Sequence, residues 1–261
     1  MVSQKAKLFG CALMLSVSAS AAQAATVAAL VDGTSIVWVD TEKKAVTKTV
    51  KIDGAALVGI DVRPADKMLY GVSADGKIMI VDPATGKTTM KSQISEALPK
   101  GVDMVVDFNP VADRLRLIGS DGTSLRINVD DGKATVDGRL KYAETDGMKG
   151  KTPKVTLGAY TNSFAGTKET VLYDIDVATG TLVKQAPPND GTLNTIGALG
   201  IKLDGPLAFD IMSDGKGGNS AFLMAGSELF SVDLATGKAT SAAKISGVTG
   251  KIIDIAVMPA M

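Results

Sequence analysis

The sequence predicts an all-β chain folded as a five-bladed β-propeller of four-stranded antiparallel blades. Three observations carry that prediction. First, one short phrase recurs: "VDPATGKTT" at Val81–Thr89, "VDLATGKAT" at Val232–Thr240 and "IDVATGTLV" from Ile175. With its variants, the turn phrase starts at Asp40, Asp82, Asn128, Asp176 and Asp233, a period of roughly 42 to 57 residues, in or just above that of a propeller blade. Second, each phrase sits among short β-rich runs separated by tight-turn signals, and helical periodicity is nearly absent, "SQISEALPK" offering one helical turn or two. Third, the two ends complement each other. The N-terminal set begins at what reads as a second strand, and a matching first strand, "KIIDIAVMP", stands at the C-terminus. A blade shared between the termini pins a ring shut and leaves no open sheet edge.

Residues 1–24 are set aside first. Lys5 and Lys7 form a basic n-region, "LFGCALMLSVSAS" is an apolar run too short to span a bilayer, and "AQA" at Ala22–Ala24 puts small residues at −3 and −1. The expectation is a secretory signal peptide cleaved before Ala25. The rival reading is a lipoprotein signal, since Cys11 follows Leu-x-Gly. There the apolar run should precede the cysteine, and here it follows.

Residues 25–261 then read as one domain. The first blade joins approximately 26–52, "ATVAALVDG", "SIVWVDT" and "AVTKTVKI", to 251–258. The second, 57–94, runs "LVGIDVRP", "KMLYGVSAD", "KIMIVD", the turn "PATGK" and "TTMKSQI". The third, 102–140, repeats that order, and "NVDDGK" lies over "DPATGK" without a gap. Asp or Asn opening the phrase can cap the turn through its side chain, and Gly supplies the positive-φ residue that closes a bulged hairpin loop. The fourth, 153–199, is read as "KVTLGAYTNS", "ETVLYDID", "TLVKQAP" and "LNTIGAL", its turn phrase displaced by one strand. The fifth, 205–245, again has four runs.

Composition excludes much chemistry. The 261 residues carry 28 basic and 28 acidic side chains, and losing Lys5 and Lys7 leaves 26 against 28. So balanced a chain exerts no strong pull on nucleic acid or anionic lipid. The single cysteine is Cys11, so the mature chain has no disulfide, which suits a bacterial periplasm or exterior. There is no histidine, which removes Ser-His-Asp and Cys-His catalysis, His-ligated haem and the usual zinc sites. No stretch after residue 24 is long and apolar enough to cross a membrane.

The quoted segments "GIDVRPADKMLYGVSADGKIMIVDPATG", "VDFNPVADRLRLIGSDGTSLRINVDDG", "AYTNS", "TVLYDID", "PPNDGTLNTIGALG" and "LFSVDLATG" resemble an uncharacterised family of secreted bacterial propeller-like proteins, domain of unknown function 4394. The resemblance covers nearly the whole mature chain. It implies fold and location, and it supplies no catalytic residues.

Two groups stand out as candidate sites. Asp61, Asp107 and Asp210 occupy equivalent places on the first strands of three blades, with Ala159 and Ala256 aligned in the other two. First strands line the channel of a propeller, so these carboxylates could converge at one mouth as a cation site, with Ca2+ the suited ion. The preferred alternative is structural: each accepts backbone N–H groups of a neighbouring blade. The segment "DFNPVADRLRLIGSDGTSLRIN" is the most polar strand pair. Arg114 and Arg116 share a face by period two, as do Arg126 and Asn128, and Asn109 stands nearby. Guanidinium forks suit carboxylate, phosphate or sugar hydroxyls, which makes these five a candidate ligand site. Here too the preferred alternative is structural, an inter-blade ion-pair network with Asp107, Asp113 and Asp137. "SDGKGGN" at 213–219 lacks the acidic spacing of an EF-hand and reads as a loop, and "PPNDG" reads as a turn. Trp38 and Tyr70, Tyr142, Tyr160 and Tyr173 read as core residues rather than sugar platforms.

With no nucleophile motif and no cofactor signature, the expectation is an exported, monomeric, non-catalytic binding or scaffold module for a small ligand, glycan, ion or partner protein. The alternative is a carboxylate-dependent glycoside hydrolase, which needs two acidic side chains about 5 to 9.5 Å apart in one pocket.

Overall fold

The computed structural model describes residues 25–258; the expected signal peptide, with Cys11, lies outside them. The described chain is built of strands, and its one helical element is a 3-10 turn at Pro188–Asp190. "SQISEALPK" ends strand β7 and continues as loop, with no helical turn.

In chain order, β1 (Thr26–Val31), β2 (Ser35–Asp40) and β3 (Ala45–Lys51) open the first blade. The second holds β4 (Leu57–Val62), β5 (Leu69–Ser73), β6 (Lys77–Val81) and β7 (Thr88–Gln93). The third holds β8 (Met104–Asn109), β9 (Arg114–Gly119), β10 (Ser124–Ile127) and β11 (Ala134–Val136). After β12 (Lys141–Tyr142), the fourth holds β13 (Val155–Tyr160), β14 (Leu172–Asp176), β15 (Thr181–Gln185) and β16 (Thr192–Ala198). The fifth holds β17 (Leu207–Ser213), β18 (Asn219–Ala225), β19 (Glu228–Val232) and β20 (Ala239–Lys244), and β21 (Ile252–Met258) ends the described chain. β21 pairs with β1 from Thr26↔Met258 to Val31↔Ile252, giving the sheet order β21-β1-β2-β3. The first blade therefore closes the five-bladed ring with strands from both ends.

The fourth blade departs from the four-strand rule. The two-residue β12 adds to its outer edge, parallel to β16. Tyr142 drives this: it is buried, and its hydroxyl donates to the Asp176 carboxylate, so the connection from the third blade is drawn onto β16 and covers its edge.

The core lies between blades, one cluster per seam. Period-two alternation makes this possible, because each inner strand is covered on both faces. On β1, Ala28 and Leu30 pack toward Ile60 and Leu69 of the second blade, while Val27 and Ala29 pack toward Ala208 and Phe222 of the fifth. Tyr70, Phe108 and Leu117 fill the second seam, Tyr160 and Leu172 meet Val105 and Ile118 in the third, and Leu157 and Ile175 meet Phe209 and Leu223 in the fourth. Each fully buried Leu, Ile or Phe contributes about 1.5 to 3 kcal/mol. Tyr70 meets Phe108 edge-on, with ring centroids 5.3 Å apart.

Candidate functional site: the two mouths of the channel

The innermost strands β4, β8, β13, β17 and β21 stand side by side around the axis. Their C-terminal ends form one mouth and their N-terminal ends the other.

At the C-terminal mouth, the structure brings together Asp61, Asp107 and Asp210. One carboxylate oxygen from each lies within 4.8 Å of the other two, and all three residues are buried. Each also joins two blades. Asp61 Oδ2 accepts the Phe108 N–H (2.7 Å), Asp107 Oδ1 the Tyr160 N–H (3.0 Å) and Asp210 Oδ2 the Val257 N–H (2.6 Å). Deeper along the channel, level with Gly59, Asp254 on β21 accepts the Ile60 N–H at 3.0 Å. It sits two residues before Ala256, on the same strand face, so comparing Ala256 with Asp61 overlooks it.

Burial dominates the chemistry of this group. Desolvation, reinforced by repulsion from Asp210, holds the Asp61 carboxyl well above the usual carboxylate range. Desolvation and then Asp61 do the same to Asp107; Asp254 is raised by burial, and burial pushes Asp210 up to about 6. Both oxygens of Asp61, Asp210 and Asp254 accept backbone N–H groups, the second donor in each case being the amide of the next residue. Asp107 Oδ2 accepts none among the described residues. A space of about 90 Å³ adjoins Asp61 and Asp210, lined further by Lys67 and by Phe164 and Ala165 of the long β13–β14 loop. That loop is fixed to the fifth blade by reciprocal bonds between Asn162 and Asn219.

The opposite mouth is wider, a cavity of about 550 Å³ to which all five inner strands contribute their starts. Its wall includes half-buried Val58, Val102, Leu207 and Ile253, and its polar groups include Asp103, Lys154, Thr156 and Lys251. The backbone at both lysines is held by a carboxylate, Lys154 N–H by Asp176 Oδ1 (3.1 Å) and Lys251 N–H by Asp32 Oδ1 (2.8 Å). By the alignment that sets Ala159 and Ala256 over Asp61, both lysines stand at one repeat position, five residues earlier, where the other three blades carry Ala56, Val102 and Gly205.

The arginine-rich strands lie elsewhere, at the seam between the third and fourth blades. Arg116 is fully buried, and its guanidinium donates to Asp137 (2.5 Å), Ser124 (3.0 Å), Asn189 (2.8 Å) and the Tyr160 hydroxyl (3.2 Å). Arg126 grips the same Asp137 with two bonds of 2.7 and 2.9 Å. Arg114 donates to the carbonyls of Ala112 and Asp113. Asn109 and Asn128 cap turns through their side-chain oxygens, which accept the amides of Val111 and Ala112 and of Asp130. Asp113 pairs instead with Arg63, a residue the sequence marked only as a strand end. Arg63 grips Asp113 at 2.6 and 2.8 Å and also reaches Asp66 and Asp130.

A ring of five blades with carboxylates gathered at one channel mouth and an open cavity at the other defines a propeller built around its axis. The match to a family model over residues 35–256 makes the assignment specific: the chain belongs to the family described as domain of unknown function, DUF4394. No curated protein matches it significantly. Among solved structures, a protein of unknown function from Bacteroides thetaiotaomicron is similar at 16% identity and a TM-score of 0.53, over 91% of this chain and 65% of that one. Another of unknown function, from Bacteroides caccae, has 13% identity and a TM-score of 0.43, over 84% and 72%. An auxiliary nutrient binding protein from Bacteroides ovatus has 17% identity and a TM-score of 0.48, over 81% and 58%. At 16% identity the likeness to the first of these is one of fold.

Proposed function

We propose that the protein is an exported, non-catalytic binding module that receives a small molecule or glycan in the wide mouth of its channel. The observation that carries this reading is the cavity of about 550 Å³ where the five inner strands begin. Its size falls in the range of small-molecule sites, and its wall combines apolar side chains with a few polar groups. Asp103 is the one carboxylate that lines it among the described residues, which present no acidic pair of the kind a glycoside hydrolase requires.

A second reading is favoured by one oxygen. Asp107 Oδ2 accepts no hydrogen bond among the described residues, while Asp107 Oδ1 and both oxygens of Asp61 and Asp210 are engaged by backbone amides. A Ca2+ ion at these three carboxylates would relieve their mutual repulsion.

One experiment tests both. Thermal unfolding of the protein from residue 25 onward is followed with organic acids, mono- and oligosaccharides, and Ca2+. A ligand at a hundred times its Kd stabilises by about 2.7 kcal/mol, a rise of several degrees. Val58→Trp should abolish a shift caused by an organic ligand, and Asp107→Asn a shift caused by Ca2+. No shift with any probe defeats both readings and points to a protein partner.

A further inference from the structure

The seam between the third and fourth blades holds a carboxyl group that the channel does not use. Asp174 lies on β14, fully buried, and neither of its oxygens has a hydrogen-bond partner among the described residues. Its place is carved out by Gly158, which faces it across the strand pair; a Cβ there would collide with Asp174 Oδ1. On the neighbouring β15, Gln185 is diagonal to it, since Asp174 faces Val183 and Leu172 faces Gln185. Gln185 Oε1 is likewise buried without a partner.

The surrounding titratable groups are committed elsewhere. From β9, the Arg116 guanidinium is bonded to Asp137, Ser124, Asn189 and Tyr160, and none of its bonds goes to Asp174. From β13 comes the Tyr160 phenol, which accepts from Arg116. From β8, Asp107 holds the Tyr160 amide. Along β14 itself, Asp176 accepts from the Tyr142 hydroxyl and the amides of Lys154 and Ala178. Behind Arg116, Asp137 is shared with Arg126. A charged carboxylate with no donor in such a place carries a heavy desolvation cost, and the neutral acid a much smaller one.

We propose that Asp174 is an uncharged carboxylic acid in the folded ring at neutral pH, and that its deprotonation loosens the seam between the third and fourth blades. The seam between the third and fourth blades is thus pH-sensitive through a group that ties no backbone amide. Burial pushes the Asp174 carboxyl up to about 8, with the Arg116 charge pulling the other way. In the unfolded chain the group titrates near its ordinary value of about 3.9. Between those values the folded state holds the extra proton. Stability from this site therefore falls as pH rises from about 4 to about 8, and levels off beyond.

Asp174→Asn keeps the shape and cannot ionise. Its unfolding midpoint should match the parent near pH 4.5, exceed it by a margin that grows to several degrees at pH 8, and keep that margin at pH 9. A margin independent of pH overturns the proposal. In the parent protein carrying 13C-labelled aspartate, the Asp174 carboxyl should show the acid-form shift at pH 7 and titrate near pH 8, and an ionised signal at pH 7 overturns it. Locality is read by hydrogen exchange corrected for its intrinsic pH dependence. The Gly138 amide, bonded to the Asn189 carbonyl across this seam, should open more at pH 9 than at pH 7. The Asp53 amide, bonded to the Gly86 carbonyl between the first two blades, should not. Equal opening of both refutes a local joint.

Discussion

Single side chains in this ring act mostly as ties between blades, and burial sorts the strong ties from the weak. The ion pair of Arg116 and Asp137 is almost wholly excluded from water, with side chains 1% and 4% exposed. Removing one partner strands the other charge. Asp137→Ala should therefore cost about 3 to 5 kcal/mol, while Arg114→Ala, which loses only bonds to nearby carbonyls, should stay within about 0.5 kcal/mol. Urea unfolding of the two variants measures the contrast, and equal losses would show that burial does not set the ranking. The sequence placed three arginines on two adjacent strands by counting in twos. It could not tell which would meet a carboxylate, because Asp137 stands in the loop after β11 and Asn189 in the next blade. Asp174 escaped for a similar reason: it has no repeat partner, and its burial follows from a glycine 16 residues away on the neighbouring strand.

At the scale of the strand and its turn, the repeated phrase does two jobs. Asp82 Oδ1 accepts the amides of Ala84 and Thr85, and Gly86 takes φ 77°, as its sequence predicts. The second job lies in the neighbouring blade. A Cβ on Gly86 would collide with the Lys51 carbonyl oxygen, and the Gly86 carbonyl accepts the Asp53 N–H. Gly132 docks in the same way, its carbonyl accepting the Ser95 amide and a Cβ on it meeting the Gln93 carbonyl oxygen; Gly237 lies against the Gly197 carbonyl oxygen, and there the Ala239 amide donates to the Leu199 carbonyl of the preceding blade. In the fourth blade the phrase joins β14 to β15, one strand further in, and a Cβ on Gly180 would meet none of the described residues. In the first blade the position is filled by Lys44 at φ 54°, whose carbonyl accepts the Ser246 amide. The strain of a side chain in the left-handed region is about 1 to 2 kcal/mol. Lys44→Gly should recover up to about 1 kcal/mol of it, less the added freedom of the unfolded chain. Gly180→Ala should cost about 1 kcal/mol and Gly86→Ala at least twice as much, since only the latter also meets a carbonyl. Thermal midpoints in that order check the docking role, and equal losses for the two glycine variants would deny it. The blades were legible because turn chemistry repeats locally; the docking was not, because it depends on a strand some 35 residues earlier in the chain.

Across the whole molecule, two sets of carboxylates pull stability in opposite directions with pH. The turn aspartates Asp40, Asp82 and Asp214 are held below their usual range by the amides and side chains they bond, so their contribution is present above about pH 4 and lost as the pH falls through their folded values. These groups are exposed and screened, and each adds little. The buried set behaves in reverse. Asp61, Asp107 and Asp254 are raised well above the usual range, Asp210 to about 6 and Asp174 to about 8, and desolvation leads in every case. Each holds its proton in the folded ring after the unfolded chain has released its own, so each withdraws stability as the pH climbs from about 4 toward its folded value. The sum is a maximum displaced to the acid side. In the absence of divalent cations the unfolding midpoint should peak near pH 4 to 5 and decline steadily to pH 8, where most domains stabilised by paired carboxylates would hold level. Differential scanning calorimetry from pH 3.5 to 9 in a chelating buffer reads the whole curve. A flat or rising midpoint between pH 5 and 8 would mean that the channel carboxylates are ionised and accommodated, which the crowding of three of them within 4.8 Å makes costly without a cation.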